Sequence, residues 1–408
     1  MKSTLTKKTL IPIIIAVIII VAVGSYLAVT PRGPPPVKEI KIGAVLSVTG
    51  KGAYAAKTLL EGAQMAIDEI NAAGGIKSLG GAKLRLIIAD SKSDPKTAGI
   101  VTEELITREK VAIIWGEYIT GPTLVMQDVC EKYGVPNLAI AGSPIITERN
   151  LTWSFRTHPH LVYWHEAAFD LFKKLGIKTV AIVTDDSAYG QANRKVYKMM
   201  CEKCGIKIVL DETYESGAVD LSPLIRKIEA AHPDALLSAP YLSDAILLIR
   251  QMHELNVNIP LIIGMATGFC DCTFWNKTGG LGEYVMGAFA YDDSIPTPEN
   301  QKFVEAFKKR YGHVPDMHNE WGYTDMYVIK DVLERAGSIK PDAILKALKE
   351  TDMRAPIGRI KFGPDGQNHE IKGVVCQWLN GSFEVIWPEE IATAKPVYPM
   401  PTWKERGA

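Results

Sequence analysis

Lys38 to Gly75, reading KEIKIGAVLSVTGKGAYAAKTLLEGAQMAIDEINAAGG, limits the folds open to the chain. Ile40, Ile42, Ala44, Val45 and Leu46 form a short apolar run between turn residues, the pattern of a strand covered on both faces in a parallel sheet. A polar turn, Ser47-Val48-Thr49-Gly50-Lys51-Gly52, then opens a helix on which Leu59, Ala63, Ala66, Ile67 and Ile70 make one core-facing stripe. Gly74 and Gly75 stop it, because glycine accepts the left-handed conformation of a helix C-cap. The product is a βα unit whose loop lies at the C-terminal end of a strand, where α/β folds bind ligands.

Gly50-x-Gly52-x-x-Ala55 also matches the dinucleotide fingerprint between a strand and a helix. That fingerprint asks for an acidic residue at the end of the second strand, about 20 residues on. The first such residue here is Asp90, much later. The glycines are therefore read as turn residues that let the loop approach a ligand or another lobe, and an extracellular NAD-type oxidoreductase is the weakest functional alternative.

The same alternation continues. Lys83 to Asp90 is a second strand, and Asp94 and Pro95 open a helix to Lys110 as N-cap and first helical residue. Val111 to Gly116 is a third strand, whose loop Glu117 to Thr123 leads to a helix ending near Gly134. Asn137 to Ala141 is a fourth, running into Gly142-Ser143-Pro144. From Phe155 the pattern restarts with strands Thr179 to Val183, Lys207 to Leu210, Ala235 to Ala239 and Leu261 to Gly264 between helices. A strand at Glu283 to Tyr291 leaves this second lobe. Helices at Pro298 to Tyr311, Glu320 to Ala336 and Pro341 to Glu350 are expected to return to the first lobe. The tail reads as β, with Gly373 to Leu379 and Phe383 to Trp387 joined by Asn380-Gly381, a hairpin signal. The fold class is α/β, two doubly wound parallel-sheet lobes with their ligand loops at the C-terminal strand ends.

A length of 408 residues favours two domains over one core. Lys+Arg and Asp+Glu each number 46 with no basic stripe, which excludes a nucleic-acid partner. Lys2, Lys7 and Lys8 precede an apolar stretch from Leu10 to Val29, long enough to cross a bilayer with its positive end inside. Residues 1–30 are read as a signal anchor or signal peptide, the uncleaved anchor preferred because a cleaved signal usually has a shorter apolar region. Residues 31–37 form a Pro-rich stalk. The chain is then held on the extracytoplasmic face of the cell membrane, or secreted or periplasmic if the signal is cleaved. Six cysteines, including Cys201-x-x-Cys204 and Cys270-x-Cys272, are few for a disulfide scaffold; a disulfide and buried thiols both stay open. Pro159 breaks any helical register among His158, His160 and His165, so neither a metal nor a cofactor is expected.

The segments IKIGAVLSVTG, EGAQMAIDEINAAGGI, DPKTA, IVTDDSAYG and VIWPEEIATAKPVYPMPTW together resemble the substrate-binding proteins of branched-chain amino acid (Leu/Ile/Val-type) ABC transporters, which have the type I periplasmic-binding fold. The resemblance runs from Lys38 to Trp403. It implies two lobes joined by three crossovers, near His158, Tyr291 and Lys372, closing on a ligand by hinge motion. Lobe I would hold residues 38–158 and 291–371, and lobe II residues 159–290 and 372–408. Thr120 resembles the hydroxyl residue that receives the ligand carboxylate, and Ala141 and Ser143, flanking Gly142, resemble its main-chain and hydroxyl partners. A helix starts after each of these loops, and its free N–H groups favour an anion. Simple helix capping is the structural alternative. Tyr189 and Tyr241 fall where the family closes aromatic walls over the ligand, or else pack at a lobe surface. Tyr54 and Tyr118 complete the candidate set.

One departure bears on the ligand. The family holds an ammonium with a carboxylate after the strand Leu261 to Gly264, where this chain reads Met265-Ala266-Thr267-Gly268. An unpaired buried ammonium is costly. Either another acid serves, with Glu117 best placed ahead of Asp185 and Asp186, or the ligand is a short amide, urea or small carboxylate. The leading reading is an extracytoplasmic solute-binding component working with an ABC transporter permease. A ligand-sensing receptor domain of the same fold is the second. No catalytic elbow, metalloprotease helix or phosphate loop is present in the sequence, and no enzyme activity is expected.

Overall fold

Alternating apolar strands and amphipathic helices build two separate sheets in the computed structural model, which describes residues 38–265, 268–371 and 373–407. Residues 39–408 form one compact unit. The apolar span Leu10 to Val29 lies outside the described residues, as do Ala266, Thr267 and Lys372. Among the described residues no helix is long and apolar enough to cross a membrane.

The first sheet is parallel, in the order β2-β1-β3-β4-β5. It comprises β1 (Glu39–Leu46), β2 (Lys83–Asp90), β3 (Ile113–Gly116), β4 (Asn137–Leu138) and β5 (Ser154–Phe155). Helices α1 (Ala53–Ala72), α2 (Pro95–Glu104), α3 (Thr120–Tyr133) and the single turn α4 (Ile145–Glu148) connect them. As the apolar run predicts, Ile40, Ile42, Ala44, Val45 and Leu46 are all buried. Asp94 caps α2 by accepting the Thr97 amide at 2.7 Å, with Pro95 in the first turn. The expected fourth strand stops early, at Leu138, because the carbonyls of Ala141 and Ser143 turn to the Arg156 side chain instead of a ladder partner.

The chain then enters α5 (Leu161–Leu175) and the second sheet, ordered β14-β13-β10-β9-β8-β6-β7. Its members are β6 (Thr179–Asp185), β7 (Lys207–Tyr214), β8 (Ala235–Ser238), β9 (Ile262–Met265), β10 (Met286–Phe289), β13 (Val374–Leu379) and β14 (Ser382–Trp387). Between them run α6 (Ala188–Cys204), α7 (Ser222–Ala231), α8 (Leu242–Glu254) and the short α9 (Phe274–Lys277). The first five strands are parallel, and the β13–β14 hairpin adds an antiparallel edge through β10. Each sheet carries its own apolar core, one around Ile114, Met126 and Ile146, the other around Leu236, Ile249 and Phe274.

After β10 come α10 (Pro298–Tyr311), α11 (Met317–Ala336) and α12 (Pro341–Lys349), then β11 (Asp352–Ala355) and β12 (Gly358–Lys361). The last two form a small antiparallel hairpin. Helix α11 begins three residues before its expected start because Asp316 and Asn319 make a reciprocal capping box. As expected of a late helix, it returns to the first lobe, and it lies directly on α1. A Cβ on Gly62 would stand 1.8 Å from the Asn319 carbonyl oxygen, and one on Gly322 would stand 2.1 Å from that of Leu59. Only glycines permit that approach. The six cysteines form no disulfide; Cys204 and Cys272 are exposed and the other four are buried.

Candidate ligand-binding site

Register brings the binding loops together. Leu46 pairs with Asp90 and Val45 with Gly116, so the loops after β1, β2 and β3 leave one sheet edge side by side. In the second sheet the strand ends deliver Asp185, Tyr241 and Met265 in the same way. The two edges touch: Lys51 Nζ lies 5.4 Å from the centre of the Tyr241 ring. A Cβ on Gly142 would stand 2.8 Å from the Trp164 ring and 3.7 Å from that of Tyr189. The Tyr54 hydroxyl is 2.7 Å from Cys272 Sγ and also donates to Asp316 at 3.2 Å. Tyr54 is thus a contact between the lobes, its hydroxyl occupied on both sides.

Thr120 is the first residue of α3, and no side chain caps that helix. It is 1% exposed, and its hydroxyl has no hydrogen-bond partner among the described residues. The capping alternative is therefore removed for Thr120. Around Ala141, Gly142 and Ser143 the chain is tied down by its carbonyls. Arg156, fully buried, donates to Ala141 O at 2.6 Å and Ser143 O at 2.7 Å, and the Leu161 amide donates to Gly142 O at 3.0 Å. The amides of these three residues have no acceptor among the described residues. A loop whose carbonyls are all engaged and whose N–H groups are free presents donors, the arrangement a carboxylate needs. Sequence reasoning missed Arg156, although an arginine between the apolar Trp153-Ser154-Phe155 and Thr157 was a visible signal.

Aromatic side chains surround these donors. Tyr189 and Tyr241 are 5% and 6% exposed with ring centres 6.1 Å apart, and the Tyr189 hydroxyl donates to Met265 O at 2.6 Å. Tyr118 meets the His318 ring edge-on at 5.1 Å. His158 stacks on Trp321 at 4.0 Å, and Trp164 lies parallel to Trp321 at 6.4 Å. The indole N–H groups of Trp164 and Trp321 and both ring nitrogens of His318 have no hydrogen-bond partner among the described residues. Sequence reasoning did not find Trp164, His318 or Trp321, because α5 and α11 approach the loops only in the fold.

The carboxylates divide. Glu117 is fully buried inside the first lobe. It accepts from Ser47 Oγ at 2.9 Å, from Ser91 Oγ, and from the amides of Tyr118 and Ile119 at 2.7 and 2.9 Å. Both its oxygens are taken by donors from the ends of β1, β2 and β3. Burial pushes its carboxyl up against the opposing pull of these bonds. Asp185, also fully buried, caps its own loop through Ser187 and keeps one oxygen, Oδ2, without a partner among the described residues. Among the described residues Asp186 accepts the Ser216 amide alone, at 3.0 Å. A fourth acid lies just beyond the stretch that sequence reasoning searched: Asp271, 6% exposed. Its Oδ1 accepts the amide and hydroxyl of Thr273, and Oδ2 accepts no hydrogen bond among the described residues. Burial raises the Asp271 carboxyl, and the neighbouring Asp316 adds to the rise. The next residue, Cys272, meets the Tyr54 hydroxyl at 2.7 Å, which places Asp271 beside the first lobe.

The Gly50 loop needs no nucleotide to explain it. A Cβ on Gly50 would stand 2.6 Å from Ser93 Oγ, and one on Gly52 would stand 2.5 Å from Ser47 Cβ. Asp90 accepts the amide and hydroxyl of Thr49, so the acid at the end of β2 braces the loop. No group of His, Cys, Asp or Glu among the described residues is placed to hold a metal ion.

Comparison with known proteins agrees with this geometry. A family model described as periplasmic binding protein matches residues 39–378. A Leu/Ile/Val-binding protein homolog from Brucella suis is 27% identical over 351 residues, covering 80% of this chain and 86% of that protein. The branched-chain amino acid transporter substrate-binding protein LivJ of Streptococcus pneumoniae, solved with isoleucine, aligns with a TM-score of 0.78 at 25% identity, covering 86% of this chain and all of that one. A solute-binding protein of an ABC transporter from Rhodopseudomonas palustris, solved with benzoate, aligns with a TM-score of 0.78 at 21% identity over 88% of this chain and 98% of that one.

Proposed function

The chain belongs to the periplasmic binding protein family, and from that premise we propose that it is the extracytoplasmic solute-binding component of an ABC transporter. It takes a branched-chain amino acid or related small solute between its lobes by hinge closure and presents the closed form to the permease. This is a family of binding proteins rather than enzymes. The observation that carries the reading is the meeting of free donors and aromatic rings between the two sheet edges: the Thr120 hydroxyl and the amides of 141–143 on one side, Tyr189 and Tyr241 on the other.

In this reading the solute carboxylate lies on Thr120, Gly142 and Ser143, and Tyr118, Tyr189 and Tyr241 enclose its side chain. Asp271 receives the ammonium through its free Oδ2, replacing the family's acid at 265–268. Asp185 is the poorer candidate because Lys51 already stands near it. Glu117 holds the loops and Tyr54 closes the lobes, so neither touches the solute. Lobe I takes residues 38–158 and 291–371, lobe II residues 159–290 and 372–408; the membership of the two sheets supports that division. Residues 10–29 anchor the protein in the membrane and 31–37 form its stalk. The aromatic lining favours one second reading, an aromatic carboxylate as solute.

The test is a thermal-shift and calorimetric screen against leucine, isoleucine, valine, short amides, urea, benzoate and NAD, since a ligand of the native state raises the unfolding midpoint by mass action. Leucine, isoleucine or valine is expected to shift it. A shift with benzoate alone selects the second reading, and NAD as the only binder would overturn both.

A further inference from the structure

The β13–β14 hairpin, the segment leaving β10, the N-terminus of α11 and the turn at Cys270 and Cys272 line a cavity of about 420 Å³. Asp292, Asp293, Asp316 and Glu384 line it; His318 Nδ1 lies 3.7 Å from Asp316 Oδ2, and Lys308 acts on Asp293. Its apolar walls are the rings of Phe289, Trp378 and Phe383. Phe289 and Phe383 lie parallel with centres 5.5 Å apart, and Trp378 stacks on Phe383 at 4.8 Å.

Asp292 is 8% exposed. Ser294 satisfies its Oδ1, while Oδ2 meets only the Cys376 thiol at 3.8 Å. No basic side chain among the described residues pairs with it. A carboxylate buried without a counter-charge is costly, and a cation in the cavity would offset that cost. The four acids are dispersed rather than gathered, since none of the described residues form a group able to hold a metal ion. Carboxylates spaced around aromatic faces, in a volume suited to a small molecule, recognise an organic cation by charge and by cation–π attraction.

We propose that this cavity is a second binding site, for a small organic cation bearing alkylammonium groups; it adjoins the Asp271 end of the site between the sheet edges through Cys270 and Cys272 and shares none of Thr120, residues 141–143, Tyr189 and Tyr241 with it. Asp316 belongs to the helix that packs on α1, whereas Glu384 belongs to the second sheet. A bound diamine therefore bridges the two lobes.

The experiment is calorimetric titration of the full chain with 1,4-diaminobutane at constant ionic strength, with 1,4-butanediol and magnesium chloride as comparison probes. The diamine is expected to bind at one site and the diol and magnesium not to. Asp292→Asn and Glu384→Gln should each weaken the diamine about tenfold, the loss of one carboxylate's attraction in a partly wet pocket. Thr120→Ala should leave the diamine unaffected. Glu384→Gln, on the hairpin surface, carries the test if Asp292→Asn does not fold. Absence of diamine binding, equal binding of magnesium, or weakening by Thr120→Ala but not by Glu384→Gln would each overturn the proposal.

Discussion

Replacing Glu117 separates a residue that holds the loops from one that holds a ligand. Glu117→Ala removes the acceptor of the Tyr118 and Ile119 amides. The two serine hydroxyls can still pair with each other across 3.1 Å, so the main cost is the buried Ile119 amide left without its acceptor, about 1–3 kcal/mol, with a smaller part from the half-buried Tyr118 amide. Glu117→Gln keeps a carbonyl oxygen for both amides and offers its NH₂ to hydroxyls that can accept. It should cost about 1 kcal/mol or less. Urea unfolding measures the stabilities, and calorimetry with a bound amino acid measures affinity. Glu117→Ala is expected to lose both stability and binding, and Glu117→Gln to keep affinity within a few-fold. If Glu117 paired with a ligand ammonium, the Gln variant would break a buried charge pair, worth about 3–5 kcal/mol or more than a hundredfold in affinity. A loss of that size for an amino acid, with des-amino analogues spared and stability intact, would refute the positioning role.

Three further outcomes are expected. Thr120→Ala should raise Kd about ten- to a hundredfold by removing a hydrogen bond to a charged group, with the unfolding midpoint unchanged because the hydroxyl has no partner among the described residues; a matching drop in stability would make Thr120 structural. Asp271→Asn should weaken leucine at least about tenfold and leave 4-methylpentanoate unaffected, and equal losses for both would remove Asp271 from the head-group site. Burial, with a smaller push from Asp325, raises Glu320 on α11 from 4.5 to about 8. The folded state therefore holds this proton more tightly than the unfolded chain. The associated stability is complete below pH 4.5 and is lost as pH rises through about 8, at up to about 1.4 kcal/mol per pH unit. Urea unfolding should show this slope from about pH 5 up to about 8 and none above it, and Glu320→Gln should flatten it. A slope that persists in the variant would assign the titration elsewhere, Asp325 first, which burial raises to about 7.

The fold was legible where local chemistry decides it. The Lys38 to Gly75 unit, the Asp94-Pro95 cap and the Asn380-Gly381 hairpin each follow from residues in immediate sequence, and the structure has all three. The loops carrying Thr120 and Ser143 were legible for the same reason, because strand ends announce themselves. Their surroundings were not. Trp321 and His318 reach the site from a helix that pairs with α1, and Arg156 acts on Ala141 and Ser143 from the next strand. No local periodicity encodes such meetings. Glu117 shows the opposite limit: its place on a loop of the first lobe suggested an ammonium partner, but side chains alternate about a strand end, and this one turns back under the loop to Ser47 and Ser91. Asp271 escaped because it lies six residues past the end of β9, beyond the family's usual position.

The glycine crossing of α1 and α11 also sets the order in which the protein can be completed. Asn319 donates to Thr58 O, 261 positions earlier in the chain, so α1 waits for α11 before its inner face is covered. Long-range pairing of this kind slows folding, because loop closure must precede the contacts that reward it. The part of the chain that carries α1 therefore stays incomplete until most of the remaining chain has been made.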